Sequence, residues 1–282
     1  MATTLVPWPQ LASTFDDGLI LGNGASIAVC PAFHYRTLRQ HVEQRAPQLA
    51  ALYQAAGSAN AERALGWHRR RHPQDPLPRH QLRLHLLQAL QQHHVSHATL
   101  APLLPRLRRF LSRFRTVATL NYDAIARWAA ACPAPSVRPI GWQPDGDNTL
   151  LVFPHGQLSE HGSVVCAGSA AEKRRAIAGH HYLRQVYEGV LPNMAESLVI
   201  YGWSLGPQDR HIVAQLGRQR RLRRVAVAVY RHDPLVMRRA QRLFGNGRRE
   251  LVFFDAESPG CWAQAEVEHS GQCSPHGNVS AM

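Results

Sequence analysis

Val225-Ala226-Val227-Ala228-Val229 is apolar at every position rather than at every second one, and Val199-Ile200-Tyr201 reads the same way. A strand with one wet face alternates, whereas a strand covered on both faces does not. Four more short apolar runs lie at Gly18–Leu21, 116–120, 149–153 and 250–254, and the two quoted runs extend over Ser197–Tyr201 and 224–230. Helical patterns separate the later runs, at 124–131, 173–191, 208–220 and Pro234–Phe244. The second of these carries Ile177, Tyr182, Leu183, Val186 and Val190 at helical spacing. Alternating strands and helices predict an α/β fold, a Rossmann-like, mainly parallel sheet with helices on both faces.

One segment breaks the rhythm. From about residue 32 to 115 no good strand appears, while 33–54, 80–94 and 100–114 look helical and the proline-rich 69–78 reads as a loop. This predicts a helical insertion after the first strand, within a single domain spanning 1–262, followed by a loose tail over 263–282. The insertion is rich in histidine. His93-His94-x-x-His97 has a spacing that could serve a metal on a helix, but no carboxylate or cysteine lies close by, and no metal site is expected.

The net charge is +13 with 32 basic residues, and Lys173 is the only lysine. The arginine runs at 106–109, 218–224, 238–239 and 248–249 fall at helix ends or before strands, where they suit helix dipoles or a polyanion surface. Five scattered cysteines without a CxxC pair argue against a zinc ribbon or redox dithiol and fit reduced thiols in the cytoplasm. No apolar run is long enough to span a bilayer, and residues 1–15 lack the pattern of a secretory signal.

Four short motifs fall at strand ends, where open α/β sheets bind ligands. Gly22-Asn23-Gly24-Ala25-Ser26 follows the first strand. It reads as a phosphate-binding turn entering a helix, or as an ordinary strand-to-helix turn. Asn121 and Asp123 follow the second strand; Asp123 also suits a helix N-cap. His155 precedes Gly156, which permits a tight turn that presents the imidazole. Gly202-Trp203-Ser204 follows the fourth strand, with Asp209 placed to cap the next helix.

In this order the motifs resemble the sirtuin-like NAD-binding superfamily, and more narrowly bacterial sirtuin-like proteins of uncharacterised function, of the DUF4917 type. The resemblance spans about 18–262 and includes Phe253-Phe254-Asp255-Ala256. It implies that Gly22, Asn23, Gly24 and Ser26 bind the pyrophosphate and neighbouring ribose of NAD. By the same resemblance Asn121 holds the nicotinamide ribose, Asp123 lies near the carboxamide and His155 is the base. Gly202 and Ser204 then contact the adenosine side, and Tyr230 to Asp233 flank the adenine.

Two departures separate the chain from the superfamily's protein deacylases. Their four-cysteine zinc module has no counterpart here, so no zinc is expected. Their Gly-Ala-Gly loop, which runs into a proline- and arginine-containing segment, is Gly-Asn-Gly running into Ile27-Ala28-Val29-Cys30-Pro31. The implied activity is hydrolysis of NAD to nicotinamide and ADP-ribose, as in sirtuin-like domains of bacterial antiviral systems. A free NADase would deplete its host, which implies restraint by a regulatory protein partner or a homo-oligomer. The alternatives are a non-catalytic sensor of NAD or an ADP-ribose-type nucleotide, and an arginine-rich nucleic-acid-binding protein.

Overall fold

The computed structural model describes residues 4–93, 95–130, 149–158 and 164–265. Six strands form one sheet, parallel throughout: β1 (Gly18–Leu21), β2 (Thr116–Thr119), β3 (Leu150–Val152), β4 (Ser197–Tyr201), β5 (Arg224–Val229) and β6 (Glu250–Asp255). Their spatial order is β3-β2-β1-β4-β5-β6. The chain therefore leaves β1 in one direction to build β2 and β3, then returns to β1's other side to build β4 to β6. Such a reversal opens a crevice beyond the strand ends, between β1 and β4.

Twelve α-helices are described around the sheet. After β1 come α1 (Asn23–Val29), α2 (Tyr35–Arg45), α3 (Ala50–Ala55), α4 (Ala61–Arg71), α5 (Leu77–Gln92), α6 (His97–Leu100) and α7 (Leu104–Leu111). Beyond β2 lie α8 (Ile125–Ala129), α9 (Ala170–Ala178), α10 (His181–Gln185), α11 (Arg210–Arg218) and α12 (Pro234–Phe244).

Successive strand residues feed two separate cores, as the twofold strand period requires. Leu19, Leu21, Val117, Val199, Tyr201 and Ala226 face the insertion helices, α8 and the buried tryptophans Trp8 and Trp262. Ile20, Ala118, Leu198, Ile200, Val225 and Val227 face α9 to α12. Burial on both faces explains why β4 and β5 read as continuous apolar runs.

The insertion is more helical than its sequence suggests. The stretch expected to be a loop contains the last turn of α4, Arg69 to Arg71, and the start of α5, and only His72–Pro76 separates the two helices. Asn60 caps α4 by accepting from the Arg63 amide at 3.2 Å, and the arginines at 69–71 are good helix formers at its C-terminal end. Conversely, the single helix expected over 173–191 is broken. Gly179 closes α9, and the His180 ring caps α10 by accepting from the Leu183 amide. A π-turn over Val186–Val190 follows.

His93 ends α5 and His97 begins α6, so the two do not share a helix face; His94 lies outside the described residues. His93 instead meets His41 edge-on, and His97 meets Trp128. The expected tail is described only to residue 265.

The insertion is locked to the rest of the domain by two glycines. A Cβ on Gly66 of α4 would lie 2.4 Å from the Gly168 carbonyl oxygen, and one on Gly168 would lie 2.2 Å from the Gly66 nitrogen. Replacing either by alanine therefore forces backbone apart, at a cost of about 2 kcal/mol by overpacking. Gly217 of α11 has nothing within 4 Å. Gly217→Ala should gain roughly 0.5 kcal/mol of helix propensity. Urea unfolding of the three variants should show this opposite sign; equal small effects would mean that α4 does not depend on this contact.

Candidate active site at the sheet reversal

Strand register brings the motif-bearing loops together. Leu21 pairs with Thr119 on one side and Tyr201 on the other, so the chains after β1, β2 and β4 emerge side by side. Above them lies a cavity of about 350 Å³, at the small end of the range for ligand pockets. Gly22, Asn23, Gly24, Asn121, Asp123, His155, Gly202, Ser204 and Tyr230 all line it.

The glycines have a packing reason. The Gly24 amide donates to the Gly202 carbonyl at 2.7 Å, and the Gly22 amide to the Tyr201 carbonyl at 2.9 Å. A Cβ on Gly22 would stand 2.5 Å from Trp203 Cα, and one on Gly24 2.7 Å from Gly202 Cα. Gly202 has φ +69° and leaves no room beside the Ala25 nitrogen. The β1 and β4 loops therefore meet backbone to backbone. The Gly24 amide is spent on this contact and is not a free phosphate donor.

Ser26 departs from its expected ligand contact. It is buried below the loop, outside the cavity lining, donating to Asp123 Oδ2 at 2.5 Å and accepting from Asn121 Nδ2 at 2.7 Å. The Asn121 amide also donates to the Gly22 carbonyl at 3.0 Å, and Asp123 Oδ1 accepts from the Ile125 amide at 3.0 Å. Asn121, Ser26 and Asp123 thus tie the end of β2 to the first loop, and Asp123 holds the Ile125 amide at the start of α8 from one residue before its N-cap, Ala124.

His155 sits in a tight turn whose next residue, Gly156, has φ +76°. The residue is 2% exposed. One nitrogen is hydrogen-bonded to the Leu120 backbone, and Nε2 lies 3.0 Å from Nε2 of His211 on α11. The ring centroids are 5.1 Å apart. That is close to the largest separation such a contact permits, so the rings meet nearly tip to tip. A neutral pair joins through one N–H at this contact, carried by one ring or the other according to tautomer, and His211 is also hydrogen-bonded to the Gln208 backbone. Tyr187, in the π-turn, stacks on His211 and donates to its carbonyl at 3.2 Å.

Burial, followed by the Lys173 charge, lowers both imidazoles: His155 to well below the usual 6.5, and His211 to about 3. Asp209 completes a His155–His211–Asp209 group with donor atoms within 4.8 Å of one another. Asp209 is already engaged, however, by Lys173 Nζ at 2.8 Å and Trp203 Nε1 at 3.2 Å. Its expected role as a helix cap is not taken up, since its side chain makes no cap hydrogen bond.

The residues that sequence reasoning missed form the floor. Lys173, 1% exposed on α9, bridges Asp209 and Glu62 of α4, both at 2.8 Å. The Tyr122 hydroxyl lies 3.1 Å from Glu62 Oε1 and 3.0 Å from the Val165 carbonyl. Burial raises the Glu62 carboxyl even though Lys173 opposes it. Burial works against the Lys173 ammonium, but Glu62 and Asp209 outweigh it and hold that group charged. Tyr35, from α2, lines the same cavity although 36% of the residue is exposed, and desolvation at its hydroxyl together with the Glu62 and Asp209 charges raises that group. Lys173 carried one signal in the sequence: it is the chain's only lysine.

Two outcomes follow from these charges. Lys173→Met leaves two buried carboxylates without their cation and should cost about 3–5 kcal/mol in urea unfolding; a loss under about 1 kcal/mol would mean that water solvates the pair. The histidines set a pH trend. The unfolded chain takes up protons near pH 6.5 that the folded His211 refuses until about pH 3. Stability is therefore full above 6.5 and declines as pH falls, by at most about 1.4 kcal/mol per pH unit for each imidazole. Unfolding between pH 7.5 and 5 should show that slope, and His211→Gln should reduce it by about one proton.

Among the described residues no helix is long and apolar enough to cross a membrane. The profile of the family described as Domain of unknown function (DUF4917) matches residues 19–134 and 149–262. The chain belongs to that family. A search of curated proteins finds no match to it.

Proposed function

We propose that this DUF4917 member binds NAD at the sheet reversal and hydrolyses it to nicotinamide and ADP-ribose, in the manner of the sirtuin-like superfamily that its motifs resemble. The observation that carries the reading is the convergence, on one cavity, of Gly22 to Gly24, Asn121, His155 and Gly202 to Ser204, four segments far apart in sequence. The buried floor adds chemical support. Two carboxylates, Glu62 and Asp209, face a single ammonium, Lys173. Such a floor favours a cation above it.

The reaction breaks the bond between the ribose C1′ and the nicotinamide nitrogen. The bonding pair leaves with nicotinamide, which departs neutral, and the ribose takes on oxocarbenium character. Water adds its oxygen to C1′ and gives up one proton. His155 is neutral at physiological pH, and its Nε2, in the tautomer that leaves that atom without a hydrogen, receives that proton. The insertion supplies Tyr35, Asn60 and Glu62 to the cavity wall and so limits bulk water. In a cell such an activity needs restraint by a partner or by self-association.

A second reading is binding without turnover, as in a nucleotide sensor. One observation favours it: Asn121, Asp123 and His155 all spend polar atoms on protein partners. NAD consumption by the purified protein, with nicotinamide and ADP-ribose resolved, separates the two. Hydrolysis predicts turnover that falls about 100-fold or more in His155→Ala and is lost in Asn121→Ala. Thermal stabilisation by NAD without product supports the sensor. Neither turnover nor stabilisation would remove the nucleotide reading.

A further inference from the structure

The lip of the cavity carries a charge opposite to that of its floor. Asp233 and Val236, at the start of α12, line the cavity, and Arg239 lies one turn further along that helix. Its Nη1 donates to the Ser204 carbonyl at 2.8 Å, which holds the guanidinium over the Gly202 to Ser204 loop. Across the opening, Asn60, Ala61 and Glu62 line the cavity, and Arg63 follows them on α4. After burial, the strongest influence on Arg239 is the like charge of Arg63, ahead of Asp233 and Arg242. Among the described residues neither Arg63 nor Arg239 has a carboxylate within ion-pair distance. Asp233 lies near Arg239 but spends Oδ1 on the Leu235 amide at 2.8 Å, as the helix cap. Arg63 and Arg239 thus stand beside the cavity lining with Asp233 as the opposing charge, and the excess positive charge there favours an arriving anion.

The neighbours indicate which anion. Tyr230 lines the cavity yet is 53% exposed, with Arg231 packed over its ring at 4.9 Å. It stands at the end of β5, where Arg231 and His232 both adopt left-handed backbone, with φ +46° and +55°. Strain of that kind persists where the surroundings hold it, and here it presents an aromatic face suited to a base. Ser204, also in the lining, offers a hydroxyl to the attached ribose, and Arg239 is bound to that residue's own carbonyl. A ribose placed there brings its outer hydroxyls against the two arginines. In dinucleotide-binding folds a carboxylate at this ribose selects free hydroxyls, whereas an arginine accommodates a phosphate.

We propose that Arg63 and Arg239 form a clamp for a phosphomonoester on the adenosine ribose, so that the preferred ligand is a 2′-phosphorylated dinucleotide of the NADP type. This rests on the dinucleotide reading above and narrows it. Calorimetric titration of the full chain with NADP and with NAD, at one fixed salt concentration, tests it. The expected result is that NADP binds at least about 10-fold more tightly, as one charge-assisted contact allows. The ratio should fall to about one in Arg239→Met and in Arg63→Ala, whereas Tyr230→Ala should weaken both ligands alike. Equal affinities, or a ratio that the arginine variants leave unchanged, would overturn the clamp while leaving dinucleotide binding in place; the latter would mean that the arginines serve the shared diphosphate. Failure of both ligands to bind would overturn the dinucleotide reading and the clamp together.

Discussion

The buried contact of Lys173 with Glu62 and Asp209 is the point at which three parts of the chain become one site. Glu62 belongs to the insertion, Lys173 to the helix after β3, and Asp209 to the loop after β4. Each charge alone would be costly to bury, and together they are mutually required. The chain uses arginine almost everywhere else, yet a guanidinium is a poor substitute here. An ammonium is compact and directs its donors to separate acceptors, whereas the planar fork is wider and presents its donors in one plane. A composition that otherwise avoids lysine keeps it where two carboxylates must be met within one enclosed volume.

The sheet reversal has a similar economy. Open α/β sheets leave a crevice where the strand order reverses, and here its walls are themselves packed loop on loop. Gly22, Gly24 and Gly202 allow the β1 and β4 loops to touch through backbone atoms. The Asn121, Ser26 and Asp123 bonds then draw in the end of β2. Residue types that suggest close approach to a ligand are thus first explained by close approach of the protein to itself. The two explanations coexist, because Asn121, Asp123 and the glycines still line the cavity that their packing creates.

All six strands and their parallel arrangement were legible in the sequence, because continuous apolar runs have few other uses in a chain of this composition. Helix α4 was not, since its arginines and its neighbouring prolines resemble loop composition although arginine favours helix. The split between α9 and α10 depends on Gly179 and on a capping imidazole, which hydrophobic spacing does not register. The strand-end motifs, Ser26 excepted, fall on one cavity because topology places strand ends together. Glu62 and His211 were not legible, since each acquires meaning only from a partner distant in sequence: Lys173 for the first, His155 for the second. Asp209 was visible as a helix cap, but a buried lysine is a stronger claimant for its carboxylate than an amide at a helix start.

The electrostatic layout gives the cavity a direction. Its floor holds two carboxylates around one ammonium, beside two imidazoles that burial keeps neutral, so no further positive charge develops there near neutral pH. Beside its lip stand arginines with no carboxylate at ion-pair distance among the described residues. A ligand with negative charge at one end and a cationic ring at the other is drawn in with the cation inward. For the hydrolysis proposed above the same gradient bears on chemistry, because positive charge growing on a ribose near the floor would be stabilised by the carboxylates. An exclusively anionic ligand would have to place charge against Glu62 and Asp209. On the reading proposed above, this polarity suits a zwitterionic dinucleotide better than a simple polyphosphate.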